Sequence, residues 1–239
     1  MSSLSELSYT PVWNVPKNYL TGFIARVPTS QAIGNGDEFV KAQADRDIAL
    51  LVQSSNELTG MVDKGNKLVL IVPVSLSTLD RAPYRTQYLE FCRSIAPEVR
   101  SLMVLKIEQI APDLPHYRLQ EILREPSTLL RSLIVTVDIR QREFDVLAGC
   151  RIHAYNVTLC DAPVSEVKSF ALLDRFAEMI QKINHAAMVE DIPSRALLGA
   201  CIGAGIAYVS GPAVQSPQKT LDVIRPFDLA EVYKDILGE

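Results

Sequence analysis

The feature that most constrains this chain is an alternation. Short runs rich in Val, Ile and Leu recur along it, separated by segments with helical spacing. The runs cover residues 9–15, 22–27, 67–75, 102–110, 133–138, 151–159, 186–190 and 207–211. Runs this apolar read as strands buried on both faces, the condition of a parallel sheet covered by helices. The clearest helical segment spans residues 163–183, where Leu172, Leu173, Phe176, Met179, Ile180 and Ile183 share one stripe and Asp174, Glu178 and Lys182 face away. Pro163 and Pro193 are expected in the first turns of their helices, and Asp228 followed by Glu231 reads as a capping pair opening a last helix over 228–237. Roughly eight strands favour closure into a (β/α) barrel over an open doubly wound sheet. The first connection departs from that plan. Residues 16–21 are too few for a parallel crossover, so the first two strands are expected to form an antiparallel hairpin.

No Ser/Gly tract, charge block or internal repeat divides the 239 residues, so a single domain over 1–239 is expected. A 48% hydrophobic and 22% charged composition is that of a globular protein. The net charge of −4 offers no electrostatic footprint for nucleic acid or an anionic membrane. The apolar part of the longest uncharged stretch, 196–209, is shorter than the roughly 20 residues of a membrane span, and Gly199, Gly203 and Gly205 interrupt it, so it reads as core. Residues 1–10 carry neither a basic leader nor an apolar run, and a cytoplasmic location is expected. Cys92, Cys150, Cys160 and Cys201 form no CxxC pair and have no His at zinc-ligand spacing, which makes them buried thiols; no cofactor is called for. No nucleophile elbow or Walker loop occurs.

In a barrel the chemistry sits at the C-terminal ends of the parallel strands. The segments reaching those ends are SYTPVWNVPKNYLTGFIARV (8–27), VPVSLSTL (72–79), LKIEQ (105–109), VTVDIRQ (135–141), IHAY (152–155), AAMVE (186–190) and YVSGPAVQSP (208–217). In order and interval this series resembles the EAL domain, a bacterial family whose active members hydrolyse cyclic di-GMP on a modified TIM (β/α) barrel with an antiparallel first strand. The resemblance runs from about residue 8 to 217. By it, Ile24 stands at the family's first Glu, Ser75 at an Asn and Lys106 at the Glu of the next strand. Asp138 is retained and Ile139 replaces its acidic partner. His153 stands at a Lys and Tyr155 at an Asp; Glu190 is kept, with Ala187 at an earlier Glu. Gly211 and Pro217 are kept, and Ser210 replaces a Gln.

The departures carry the functional expectation. Hydrolysing a phosphodiester with two hard divalent ions requires oxygen ligands that polarise the phosphate and acidify the attacking water. The resemblance assigns those ligands to positions now held by Ile24, Ser75, Lys106 and Ile139, and an ammonium at Lys106 repels a metal. No metal and no phosphodiesterase activity are therefore expected. Family members lacking the ligands serve as cyclic di-GMP receptors or as protein-interaction modules. The second is favoured, a catalytically inactive EAL-like regulatory module with a protein partner or a homodimer, paired through residues 139–149 and 159–167. The alternative is a metal-independent cyclic di-GMP receptor, disfavoured because an Arg used by the family is Pro28 here, although Arg26 lies on the same strand face. A different enzyme on the same barrel is the third reading. The candidate pocket residues are Arg26, Ser75, Lys106, Asp138, His153 and Glu190. Lys106 is expected to pair with Asp138, and His153 is weighed as an acid/base group against a structural role. His116 and His185 read as solvated or capping residues.

Overall fold

The computed structural model describes residues 7–27, 36–111, 113–141, 147, 149–159 and 166–237; Pro28, Cys160, Pro163 and most of 139–149 and 159–167 that bear on the expectations above lie outside them. β1 (Ser8–Asn14) turns through a short 3-10 segment at Val15–Lys17 into β2 (Tyr19–Arg26). The turn is held by the Asn14 side chain, which accepts from the Lys17 amide at 3.2 Å, and by Asn18 in the left-handed region. After α1 (Asp37–Asp63) come β3 (Val69–Ser75), α2 (Leu76–Asp80), α3 (Ala82–Ser94), α4 (Pro97–Arg100) and β4 (Met103–Glu108). These are followed by α5 (His116–Arg124), α6 (Pro126–Leu129), β5 (Ser132–Thr136), β6 (Ile152–Thr158), α7 (Glu166–Lys182) and β7 (Ala186–Glu190). The chain ends with α8 (Arg195–Gly203), β8 (Tyr208–Ser210), the two-residue β9 (Arg225–Pro226) and α9 (Leu229–Leu237).

Strands β2 to β8 run parallel in chain order, and β1 lies antiparallel between β2 and β8, so the sheet closes on itself. This is the barrel with an antiparallel first strand that the short 16–21 connection demanded. β9 adds a brief antiparallel contact to the start of β2. Among the described residues no helix is long and apolar enough to cross a membrane.

Strand parity divides the core in two. Val12, Ile24, Ile71, Val104, Ile134, Ala154 and Met188 point into the barrel and fill a layer across its middle. Their neighbours in the chain, among them Leu70, Leu105, Val135, Tyr155 and Val189, point outward and pack under the helices. Leu173, Phe176 and Ile180 of α7 are buried in that outer core, so the stripe read from the sequence is the face that packs. Each fully buried side chain of this kind contributes about 1.5–3 kcal/mol. Pro193 lies just before α8 rather than in its first turn, because Ser194 takes the cap and its hydroxyl accepts from the Leu197 amide at 3.3 Å. The Asp228 carboxylate does accept from the Glu231 amide at 3.2 Å at the start of α9.

One buried carboxylate ties a helix to the sheet. Asp47, on α1, accepts from the Ser75 amide at 2.9 Å, the Thr78 hydroxyl at 2.6 Å and the Gln43 side-chain amide at 2.7 Å. It thereby fixes the turn from β3 into α2 at the C-terminal rim. Burial raises its pKa to about 6 despite those hydrogen bonds, which pull the other way. A carboxyl that holds its proton more tightly folded than unfolded lowers stability as pH rises between its two pKa values. Stability is therefore expected to fall from about pH 4 to about pH 6, by on the order of 3 kcal/mol from this group, and to level off above. Urea denaturation across that range should show the slope in the native chain and its loss in Asp47→Asn. An unchanged slope in the variant would show that Asp47 is not its source.

Candidate functional site

The C-terminal rim of the barrel gathers charge because parity places Lys106 and Glu108 on the inward face of β4, Glu190 on that of β7 and Arg26 on that of β2. The Lys106 ammonium donates to both Glu190 oxygens, at 2.9 and 2.6 Å, and lies 2.8 Å from a Glu108 oxygen. Arg26 donates to the same Glu190 carboxylate at 2.9 Å and grips Asp191 through both terminal nitrogens, at 3.1 and 2.7 Å. Lys106 and Glu190 are almost wholly buried, with side chains 2% and 1% exposed, whereas Arg26 is 32% exposed and faces the mouth. Two cations and three carboxylates thus form one network that spans the barrel from β2 through β4 to β7.

The network sets the charge states. Burial alone would lower the Lys106 pKa, but the carboxylates of Glu190 and Glu108 outweigh it and hold the ammonium above the usual lysine value. Arg26 is likewise raised, with desolvation opposed by Glu190 and Asp191. Both strands turn away at the rim through left-handed residues, Gln109 at φ 57° after β4 and Asp191 at φ 56° after β7. Asp and Asn tolerate that region better than most residues, and at Asp191 the turn delivers a carboxylate to Arg26.

Of the residues expected to line the pocket, Arg26, Lys106 and Glu190 come together. Ser75 is also at the rim, buried, with its hydroxyl donating to Gln109 at 2.8 Å and lying 2.8 Å from the Ser77 hydroxyl. Two expectations fail. Lys106 does not meet Asp138: it is committed to Glu190 and Glu108, while Asp138, beyond the end of β5, is clasped by Arg140 at 2.9 and 2.5 Å on an exposed surface. The Arg140 guanidinium holds the Asp138 carboxyl below the usual range. Asp138 therefore finds a neighbour two residues away before it can reach across the barrel, and with Gln109, Leu114, His116 and Thr136 it lines a cleft of 630 Å³ after β4 and β5. His153 lies at the opposite end of the barrel, beside a register shift at the start of β6, with its Nε2 2.9 Å from the Tyr208 hydroxyl. A polar residue that opens a parallel strand sits at the N-terminal mouth, not at the rim where chemistry is expected.

Glu108 and Asp191 were not singled out from sequence. The signal for the first was parity, since Glu108 follows Lys106 by two on one strand; the second directly follows Glu190. Asn156, wholly buried on β6, donates to the Thr136 hydroxyl at 3.3 Å and adds a polar wall inside the barrel.

With this geometry in hand, comparison with known proteins identifies the fold. No family model and no curated protein matches the chain. Among solved structures, an EAL domain protein from Listeria monocytogenes superposes with a TM-score of 0.63 at 13% identity, over 98% of this chain and 93% of that one. The Xanthomonas citri FimX EAL domain in complex with c-diGMP gives 0.70 at 14% identity, over 90% and 89%. The Bacillus subtilis YkuI protein, with an EAL domain in complex with c-di-GMP and calcium, gives 0.66 at 16%, over 97% of this chain and 59% of that one. The chain has the fold of the EAL domains.

Removing one member of a buried ion pair strands the other charge and typically costs about 3–5 kcal/mol, whereas replacing both is often neutral. Lys106→Met is expected to fall in that range, and Lys106→Met combined with Glu190→Gln to recover most of the loss. Urea denaturation midpoints measure both. A single variant as stable as the native chain would show that the pair does not hold the barrel together.

Proposed function

We propose that this chain, taken as one EAL-fold unit, is a catalytically silent regulatory module that acts by binding a protein partner within cyclic di-GMP signalling. The observation that carries the reading is the fork of Lys106 onto both oxygens of Glu190 at the barrel mouth. Two divalent ions need oxygen donors free to coordinate, at roughly 2.0–2.1 Å for Mg²⁺. Here Glu190 is saturated by Lys106 and Arg26, Glu108 faces the same ammonium, and Asp191 is held by Arg26. The position of the family's first Glu is the apolar Ile24 of the inner layer. The donor set therefore does not fit the metals, and the ammonium opposes them: at 4 Å and an effective dielectric near 20 a like unit charge costs about 4 kcal/mol, roughly double for a divalent ion.

The signalling context rests on likeness of fold to proteins crystallised with the dinucleotide, among them the FimX and YkuI domains and the PaMucR phosphodiesterase. A metal-independent cyclic di-GMP receptor is the second reading, favoured by one feature: Arg26 keeps part of its guanidinium open at the mouth. The protein reading ranks first because both rim cations are already neutralised, so a phosphate must compete with Glu190 and Asp191 for them. The partner chemistry includes a second copy of this chain, and light scattering at high concentration distinguishes a dimer from the 26.5 kDa monomer.

Purified protein is expected to leave cyclic di-GMP intact with either Mg²⁺ or Mn²⁺, matching a blank without protein. Metal-dependent turnover would overturn the proposal. Calorimetry with cyclic di-GMP in chelator separates the two readings: no heat supports the protein-binding module, and saturable micromolar binding that Arg26→Gln abolishes supports the receptor.

A further inference from the structure

The opposite mouth of the barrel holds a cavity that the reading above does not use. A (β/α) barrel is ordinarily filled end to end by layers of inward side chains. Here the layer at the N-terminal end combines Gly22, Ser132 and Asn14 with Val69 and Tyr208, and 260 Å³ is left open above Ile71, Val104, Ile134 and Met188. Gly22 is not free to grow: a Cβ there would lie 2.2 Å from the Val69 carbonyl oxygen, so the close approach of β2 to β3 fixes a residue without a side chain at this point. The floor is apolar because it is the inner hydrophobic layer of the barrel.

The rim has a different chemistry. Lys17, from the hairpin turn, and Arg131, just before β5, line the opening, with His153 and Tyr208 hydrogen-bonded to each other at 2.9 Å across it. Arg131 also donates to the Ser101 carbonyl at 3.2 Å, and among the described residues neither cation is paired with a carboxylate. The residues lining the cavity include no Asp or Glu. That contrasts with the C-terminal rim, where Lys106, Arg26 and Arg140 each meet a carboxylate. His153 is held below the ordinary imidazole pKa, by loss of water and by the nearby Arg131, His185 and Lys17, and Tyr208 is raised by burial. Both are thus neutral hydrogen-bonding groups near pH 7, and the positive charge comes from Lys17 and Arg131.

We propose that this N-terminal cavity is a binding site for a small carboxylate with a compact apolar tail. The tail rests on Ile71, Ile134 and Met188, and the carboxylate is received by Lys17 and Arg131 with His153 or Tyr208 as a neutral donor. At 260 Å³ it is below the roughly 300–1,000 Å³ of sites for drug-sized ligands, so a short aliphatic or single-ring acid is the size that fits. Apolar tail and charged head are both required, because burying a carboxylate without charged partners is unfavourable and a bare inorganic anion gains nothing from the floor. The site does not depend on the state of the C-terminal rim or on cyclic di-GMP.

Methyl-resolved NMR of the full chain, titrated with hexanoate, tests this. Saturable shifts at the methyls of Ile71, Ile134 and Met188 are expected, with weaker binding of hexanol, which keeps the tail and lacks the charge. Lys17→Gln alters an exposed side chain and Arg131→Gln another, so folding, checked by circular dichroism, is expected to be retained. Each variant should weaken hexanoate by about tenfold, the loss of one charge-assisted contact, and leave hexanol unchanged. Absence of shifts at those methyls with hexanoate, hexanol binding as tightly as hexanoate, or hexanoate binding untouched by both variants would each overturn the proposal.

Discussion

The Lys106–Glu190 ion pair is the constraint around which the C-terminal half of this barrel is arranged. Both side chains are buried inside a closed sheet, where an isolated charge is far too costly to keep. Each therefore needs the other, and the surplus valence of each recruits a further partner: Glu108 to the ammonium, Arg26 to the carboxylate and Asp191 to Arg26. Because the members come from β2, β4 and β7, the network braces strands that are not sheet neighbours. A pair of this kind need not raise net stability over an apolar filling of the same volume. Its effect is to fix which groups face the mouth and in what charge state.

The same barrel treats its two ends differently. At the C-terminal rim, long charged side chains saturate one another, and Asp47 anchors the adjoining turn through Ser75 and Thr78. At the N-terminal mouth volume is left open beside Gly22 and Ser132, and the cations around it, Lys17 and Arg131, have no acidic counterpart among the described residues. The apolar layer of Val12, Ile24, Ile71, Val104, Ile134, Ala154 and Met188 separates the two. It insulates the buried ions above and supplies the floor of the cavity below. The two mouths are thereby separate environments, one of matched buried charge and one open and apolar-floored.

Much of this was legible in the residues. The strand runs, the hairpin forced by a six-residue connection and the α7 stripe all depend on local patterning, which the chain carries within itself. The motif order gave the barrel type, and the rim membership of Arg26, Lys106 and Glu190 followed from their places at strand ends. Partner choice was not legible. Lys106 lies on β4 beside β5, which made Asp138 the nearer candidate in sequence space, yet Asp138 is outside the barrel with Arg140, and Glu190 reaches Lys106 across the interior from β7.

The sequence by itself determined the periodicities, the element order and the net charge of −4, because these follow from side-chain type and spacing along one dimension. Only the tertiary structure decided which buried charges meet, that His153 belongs to the far mouth, and that a cavity opens there beside Gly22 and Ser132. Those outcomes depend on strand register and barrel closure, which bring together residues such as Arg26 and Glu190, 164 positions apart. A shift of one residue in β2, β4 or β7 would turn Arg26, Lys106 or Glu190 out of the barrel.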